Sequence, residues 1–148
     1  MRFAHANIVT RDWVRLSRFY ERALNLRRVP PERDLSGDWL QRATGVPGAH
    51  IRGVHLSLPG ASDREPTLEI FQYDEVLSAT KSVPNREGIG HIAFEVEDVE
   101  ATVRQVIAEG GHSIGETVSQ EIAGAGRIVF AYVADPDGNI LELQHWTA

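Results

Sequence analysis

The sequence is written twice. HANIVTRD (5–12) lies over HIAFEVED (91–98) at an offset of 86 residues (91 minus 5), and Asp12 and Asp98 then share one place. Each copy opens with alternating apolar and polar residues, the period of a strand with one face on a core. A helical stretch follows. Leu16, Phe19, Tyr20, Ala23 and Leu24 form its stripe in the first copy, and Val99, Val103, Val106 and Ile107 in the second. Each aspartate is placed to cap its helix by accepting free backbone N–H groups. Both helices are expected to stop at residues that tolerate the left-handed conformation, Asn25 and Gly111. Matched caps on helices of equal length predict an internal duplication.

Three strands are predicted after each helix, at 26–32, 51–58 and 67–73 and then at 113–122, 127–134 and 140–146. DPDG (135–138) reads as a tight turn, with Gly138 free to take positive φ. Each copy is then β-α-β-β-β. The expected fold class is α+β: two βαβββ modules in tandem, forming a curved mixed sheet around a groove. The modules span 1–77 and 89–148 within one compact domain, joined by the polar linker SATKSVPNREG (78–88). Only the first carries DLSGDWLQRATGVPGAH (34–50), predicted as a long loop with a short helical turn around 39–43. Such an excursion is either a substrate-contacting lid or a tolerated surface insertion.

Charge and composition narrow the partners. A net charge of −6 with no long block of Lys and Arg argues against a nucleic-acid or anionic-lipid surface. The absence of cysteine removes disulfides, thiolate metal sites and cysteine nucleophiles. No apolar run approaches ~20 residues and no signal peptide is visible, so a soluble, cytoplasmic protein acting on a small molecule is expected.

Strand alternation selects the chemical residues. Leu68 and Ile70 flank Glu69, and Leu141 and Leu143 flank Glu142, so both glutamates face away from the apolar stripe of their module's last strand. His5 and His91 do the same on the first strands. If first and last strands are neighbours, each module points one imidazole and one carboxylate the same way. Charged groups gathered in a groove need a counter-charge. Two imidazoles and two carboxylates suit one divalent ion (Ni, Co, Zn, Mn or Fe) and leave two positions open on a six-coordinate ion. His50, His55, His112 and His145 break the repeat and are expected at the surface or behind the ligands. His145 lies on the leucine side, as a hydrogen-bonded core histidine would. Arg11, Arg52, Arg86 and Arg127 are candidate anchors for a substrate carboxylate or phosphate.

The paired modules, with GHIAFEVEDVEA (90–101) and DPDGNILELQ (135–144), resemble the vicinal oxygen chelate superfamily across essentially the whole chain. That group includes glyoxalase I, methylmalonyl-CoA epimerase, fosfomycin-resistance enzymes, extradiol dioxygenases and bleomycin-binding proteins. The resemblance implies His5, Glu69, His91 and Glu142 as ligands of one divalent metal per site, a set similar to that of bacterial glyoxalase I. It also implies a homodimer, and a lyase or isomerase that abstracts a proton next to a carbonyl of a substrate chelated through vicinal oxygens. Glu142 and Glu69 would share the proton work. An extradiol-type ring-cleaving dioxygenase and a non-catalytic drug or metabolite binder are the alternatives. The long 34–50 loop and the PNREG linker do not match a glyoxalase I acting on a glutathione adduct, which leaves the substrate open.

Overall fold

The computed structural model describes residues 1–59, 65–78 and 80–147; Ala79 of the predicted linker and Ala148 lie outside them. The chain divides into two compact units, Met1–Ser78 and Ala79–Ala148. Each unit has its own sheet, as expected of two βαβββ modules in tandem.

Unit 1 runs β1 (His5–Val9), α1 (Trp13–Leu24), β2 (Arg27–Ser36), α2 (Asp38–Thr44), β3 (His50–Ser57) and β4 (Thr67–Tyr73). Its strand order is β1-β4-β3-β2, with β1 and β4 parallel and the other pairs antiparallel. The first and last strands are therefore neighbours. The Asp12 carboxylate accepts from the Arg15 N–H at 2.9 Å and starts α1, and Asn25 ends it at φ 57°. The stripe Leu16, Phe19, Tyr20, Ala23 and Leu24 is buried, as are Ile8, Val54, Leu56, Leu68 and Ile70 on the sheet face that α1 covers.

Unit 2 runs β5 (Ile92–Glu95), α3 (Val99–Ala108), β6 (His112–Ser113), β7 (Val118–Ile122), β8 (Gly126–Ala134) and β9 (Ile140–Thr147). β5 lies parallel to β9, β9 antiparallel to β8, and both β6 and β7 pair with the outer edge of β8. Register repeats with the sequence: Asn7 lies opposite Glu69, and Ala93, its counterpart at the same offset, lies opposite Glu142.

Three expectations are corrected. The segment 34–50 is not an open loop: β2 continues to Ser36, α2 follows, and only a short turn precedes β3. Leu40, Ala49 and Ile51 form a buried cluster against which Leu35, Phe71 and Tyr73 pack, so α2 covers part of the face opposite α1. The predicted strand 113–122 is two pieces, interrupted around Gly115, where a glycine weakens the ladder. The left-handed residue after α3 is Gly110 (φ 100°), one place before the expected Gly111. Gly111 serves close packing instead, since an added Cβ would lie 2.5 Å from the Ala134 carbonyl and 2.7 Å from Val106. Among the described residues no helix is long and apolar enough to cross a membrane.

Candidate functional site

Period-2 alternation dictates what each sheet shows on the face away from its helix. In unit 1 the inward residues Leu68 and Ile70 leave Glu69 on the other face, beside His5 and Asn7 of β1 and His55 of β3. His5 Nε2 lies 3.4 Å from Glu69 Oε2. The same oxygen accepts from Asn7 Nδ2 at 3.1 Å. Oε1 lies 2.9 Å from His55 Nε2. Glu69 is only 7 % exposed, and a carboxylate that buried is tolerable because nitrogens engage both its oxygens. Burial holds His55 below the usual imidazole range, the Glu69 charge opposing that shift and Arg33 and His5 adding to it. A neutral His55 has one N–H to give. Its Nδ1, 3.0 Å from Thr67 Oγ1, accepts from that hydroxyl, and its Nε2–H donates to Glu69.

Unit 2 repeats the plan with one substitution. His91 Nε2 lies 2.9 Å from Glu142 Oε2, and the Tyr132 hydroxyl donates to the same oxygen at 3.3 Å. Oε1 of Glu142 has no protein partner among the described residues. Burial, with the Glu142 charge secondary, pushes the Tyr132 hydroxyl above the ordinary tyrosine range. The DPDG turn fixes this register. Asp135 is fully buried and accepts from the Asp137 and Asn139 backbone N–H groups at 2.9 Å each and from Asn139 Nδ2 at 2.8 Å. Gly138 closes the turn at φ 89°.

The structure thus brings His5 to Glu69 and His91 to Glu142. Among the described residues no group of three or more His, Asp or Glu side chains is already arranged as a metal cage. The donors nonetheless fit a first-row divalent ion: each pair combines an imidazole Nε2 with a carboxylate oxygen, on a face that its helix leaves free.

His55 stands behind Glu69, one of the two places expected for it, whereas Tyr132 behind Glu142 was not among the candidates. Hairpin symmetry carries the signal: β8 and β9 are related about the DPDG turn, which sets Tyr132 opposite Glu142, as β3 and β4 set His55 opposite Glu69. His145 is the hydrogen-bonded histidine expected, with Nδ1 2.9 Å from the Val96 carbonyl. His50 bridges Asp34 (2.7 Å) and Asp74 (3.0 Å), and His112 is exposed on β6.

Comparison with known proteins agrees with this architecture. Residues 2–143 match the family model Glyoxalase/Bleomycin resistance protein/Dioxygenase superfamily. A glyoxalase family protein from Bacillus cereus superposes with a TM-score of 0.84 at 19% identity, covering 100% of this chain and 95% of that one. A glyoxalase I mutant from Zea mays superposes with a TM-score of 0.67 at 22% identity, covering 97% of this chain but 44% of that one. A glyoxalase/bleomycin resistance protein/dioxygenase family enzyme from Burkholderia phytofirmans gives 0.59 at 16%, covering 99% and 100%. No curated protein matches the sequence significantly. These likenesses carry the fold, and the family match spans nearly the whole sequence: the chain belongs to the Glyoxalase/Bleomycin resistance protein/Dioxygenase superfamily.

Proposed function

We propose that the protein is a divalent-metal-dependent lyase or isomerase of glyoxalase I type. In this reading His5 and Glu69 are one half of a four-ligand site and His91 and Glu142 the other, whether the halves come from one chain or from two copies in a homodimer. The observation that carries it is the repeated pairing, at 3.4 and 2.9 Å, of an imidazole and a carboxylate on equivalent strands. A bound divalent cation would supply Lewis-acid polarisation of a substrate carbonyl and its neighbouring oxygen.

The two carboxylates divide the remaining work. Glu69, held on both oxygens by Asn7 and His55, stays fixed. Glu142 keeps Oε1 free, so it takes the proton from the carbon next to the carbonyl and returns it to the neighbouring one. The Tyr132 hydroxyl, donating to Oε2, steadies Glu142 while Oε1 accepts.

One observation favours a second reading, the ring-cleaving dioxygenase. With Glu69 engaged by its own neighbours, His5, His91 and Glu142 would form the two-histidine, one-carboxylate set of non-haem iron enzymes. Glu69→Gln separates the two. The four-ligand reading expects Zn²⁺ and Ni²⁺ affinity, measured by calorimetry, to fall more than about tenfold. Unchanged affinity, with iron-dependent O₂ uptake on catechols, would establish the second reading instead.

A further inference from the structure

Strand register sets Arg33 on the same sheet face as the unit 1 carboxylate. Arg33 of β2 lies opposite Gly53 of β3, Gly53 lies opposite Phe71 of β4, and two residues along β3 His55 lies opposite Glu69. All five positions share one face of the sheet. Three of the arginines picked from the sequence are engaged elsewhere: Arg11 donates to Ser78 (3.2 Å), Arg52 to Asp74 (2.5 Å), and Arg127 lies 3.5 Å from Glu121. Arg86 sits in a turn closed by its N–H on the Val83 carbonyl.

Arg33 shares the face of Glu69. It is half-buried, it donates to the Pro31 carbonyl, and among the described residues no carboxylate pairs with it. A half-buried guanidinium without a counter-ion has donors to spare for an anion, and carboxylates suit its fork best.

Gly53, Phe71 and His55 lie between Arg33 and Glu69 on this face. Gly53 has no side chain, and the Phe71 ring fills the space: a Cβ on Gly53 would lie 2.6 Å from Phe71 Cδ1. The same ring stands edge-on to His55 at 5.8 Å between centroids. Its far side packs on the cluster of Leu40, Ala49 and Ile51 that α2 brings down. Crossing two strands at ~4.8 Å and two residues at ~3.3 Å separates the Cα atoms of Arg33 and Glu69 by roughly 12 Å.

We propose that Arg33 and Phe71 form the substrate-recognition subsite of unit 1. The substrate is then a small flat acid whose vicinal oxygens lie at His5 and Glu69, whose ring or apolar body rests on Phe71, and whose distal carboxylate pairs with Arg33. This inference rests on the metal reading of His5 and Glu69 and adds the substrate class. It also gives the 34–50 segment a task, since α2 backs the platform.

The test uses the full chain loaded with redox-inert Zn²⁺ and titrated with 3,4-dihydroxybenzoate and with its methyl ester, which keeps the vicinal oxygens and loses the anion. Wild type is expected to prefer the acid at least about tenfold, the scale of one charge-assisted pair. Arg33→Gln should bring that ratio to about one while leaving Zn²⁺ affinity unchanged. Arg27→Gln, on the same face but exposed opposite Ser57, should leave the ratio as in wild type. Zn²⁺ binding with no preference for the acid in wild type, or a preference that survives R33Q, overturns the subsite and spares the metal reading. Failure to bind Zn²⁺ overturns the metal reading and the subsite with it.

Discussion

The two units share one strand register around their glutamates and differ in what stands behind the carboxylate. In unit 1 a histidine of the middle strand, His55, faces Glu69, and Asn7 takes the other oxygen. In unit 2 the equivalent place holds Tyr132, and the place of Asn7 holds Ala93, which has nothing to give. Duplication has kept each imidazole–carboxylate pair while its supports diverged. The result is one clamped carboxylate and one with a free oxygen, the division that a proton shuttle beside a fixed ligand requires.

The largest expected effect comes from exchanging these supports for apolar groups. His55→Leu removes the donor to Glu69 Oε1 and should weaken Zn²⁺ binding about 10–100-fold, the usual cost of losing a group that orients a ligand. Tyr132→Phe removes a longer contact from a carboxylate that keeps His91, and should cost no more than a few-fold. His55→Gln, which retains a donor at that reach, should recover most of the loss. Equal losses in His55→Leu and Tyr132→Phe, read by competition with a metallochromic dye, would erase the asymmetry.

A smaller effect separates the two helices. Asp12 and Asp98 cap α1 and α3 with the same 2.9 Å bond, and replacing either by Ala should cost about 1 kcal/mol. Their consequences should differ. α1 buries Leu16, Phe19, Tyr20, Ala23 and Leu24, whereas α3 buries only Val99 and Val106 completely. With less packing to hold it, α3 in Asp98→Ala should show faster amide exchange along its whole length, while α1 in Asp12→Ala should fray only in its first turn. Equal, first-turn-only exchange in both variants would show that the cap and not the buried face decides.

How far the sequence disclosed this follows from which interactions are local. The caps, the Asn25 terminus, the DPDG turn and the outward glutamates are set by neighbours in the chain, and each is where the pattern puts it. The match of His5 to Glu69 and of His91 to Glu142 follows from the repeat once the end strands lie side by side. What stayed hidden depends on contacts across the sheet. The apolar residues of 34–50 are few and widely spaced, and Leu40 finds its partners Ile51, Phe71 and Tyr73 only after β3 and β4 have paired. Arg33 likewise gains meaning only from register, whereas His55, flanked by the buried Val54 and Leu56, needs register only to meet Glu69. By sequence Gly111 fits a helix terminus, and the Ala134 carbonyl that crowds it belongs to a strand more than twenty residues away.

The smallest predicted effect tests whether unit 1 carries a pH-dependent clasp at the end of its sheet, away from the metal-ligand candidates. His50 lies between Asp34 of β2 and Asp74, one residue beyond β4, while Arg52 also reaches Asp74 at 2.5 Å. Hydrogen bonds from His50 to Asp34 and then to Asp74 raise its pKa above 6.5. The hydrogen bond with His50 holds Asp74 below its ordinary 3.8. A raised histidine contributes stability that is complete below 6.5 and is lost as pH rises through the higher folded value. A depressed carboxylate contributes above 3.8 and loses it as pH falls through the lower folded value. The clasp is therefore strongest between those limits, and only its upper edge falls near neutrality. Wild type should exceed His50→Gln in Tm most at pH 5–6, and the gap should narrow as pH rises beyond the histidine range. Because these groups are exposed, 0.5 M NaCl should close most of the gap at every pH. A Tm difference that does not change with pH would mean that His50 packs against β2 and β4 without using its charge.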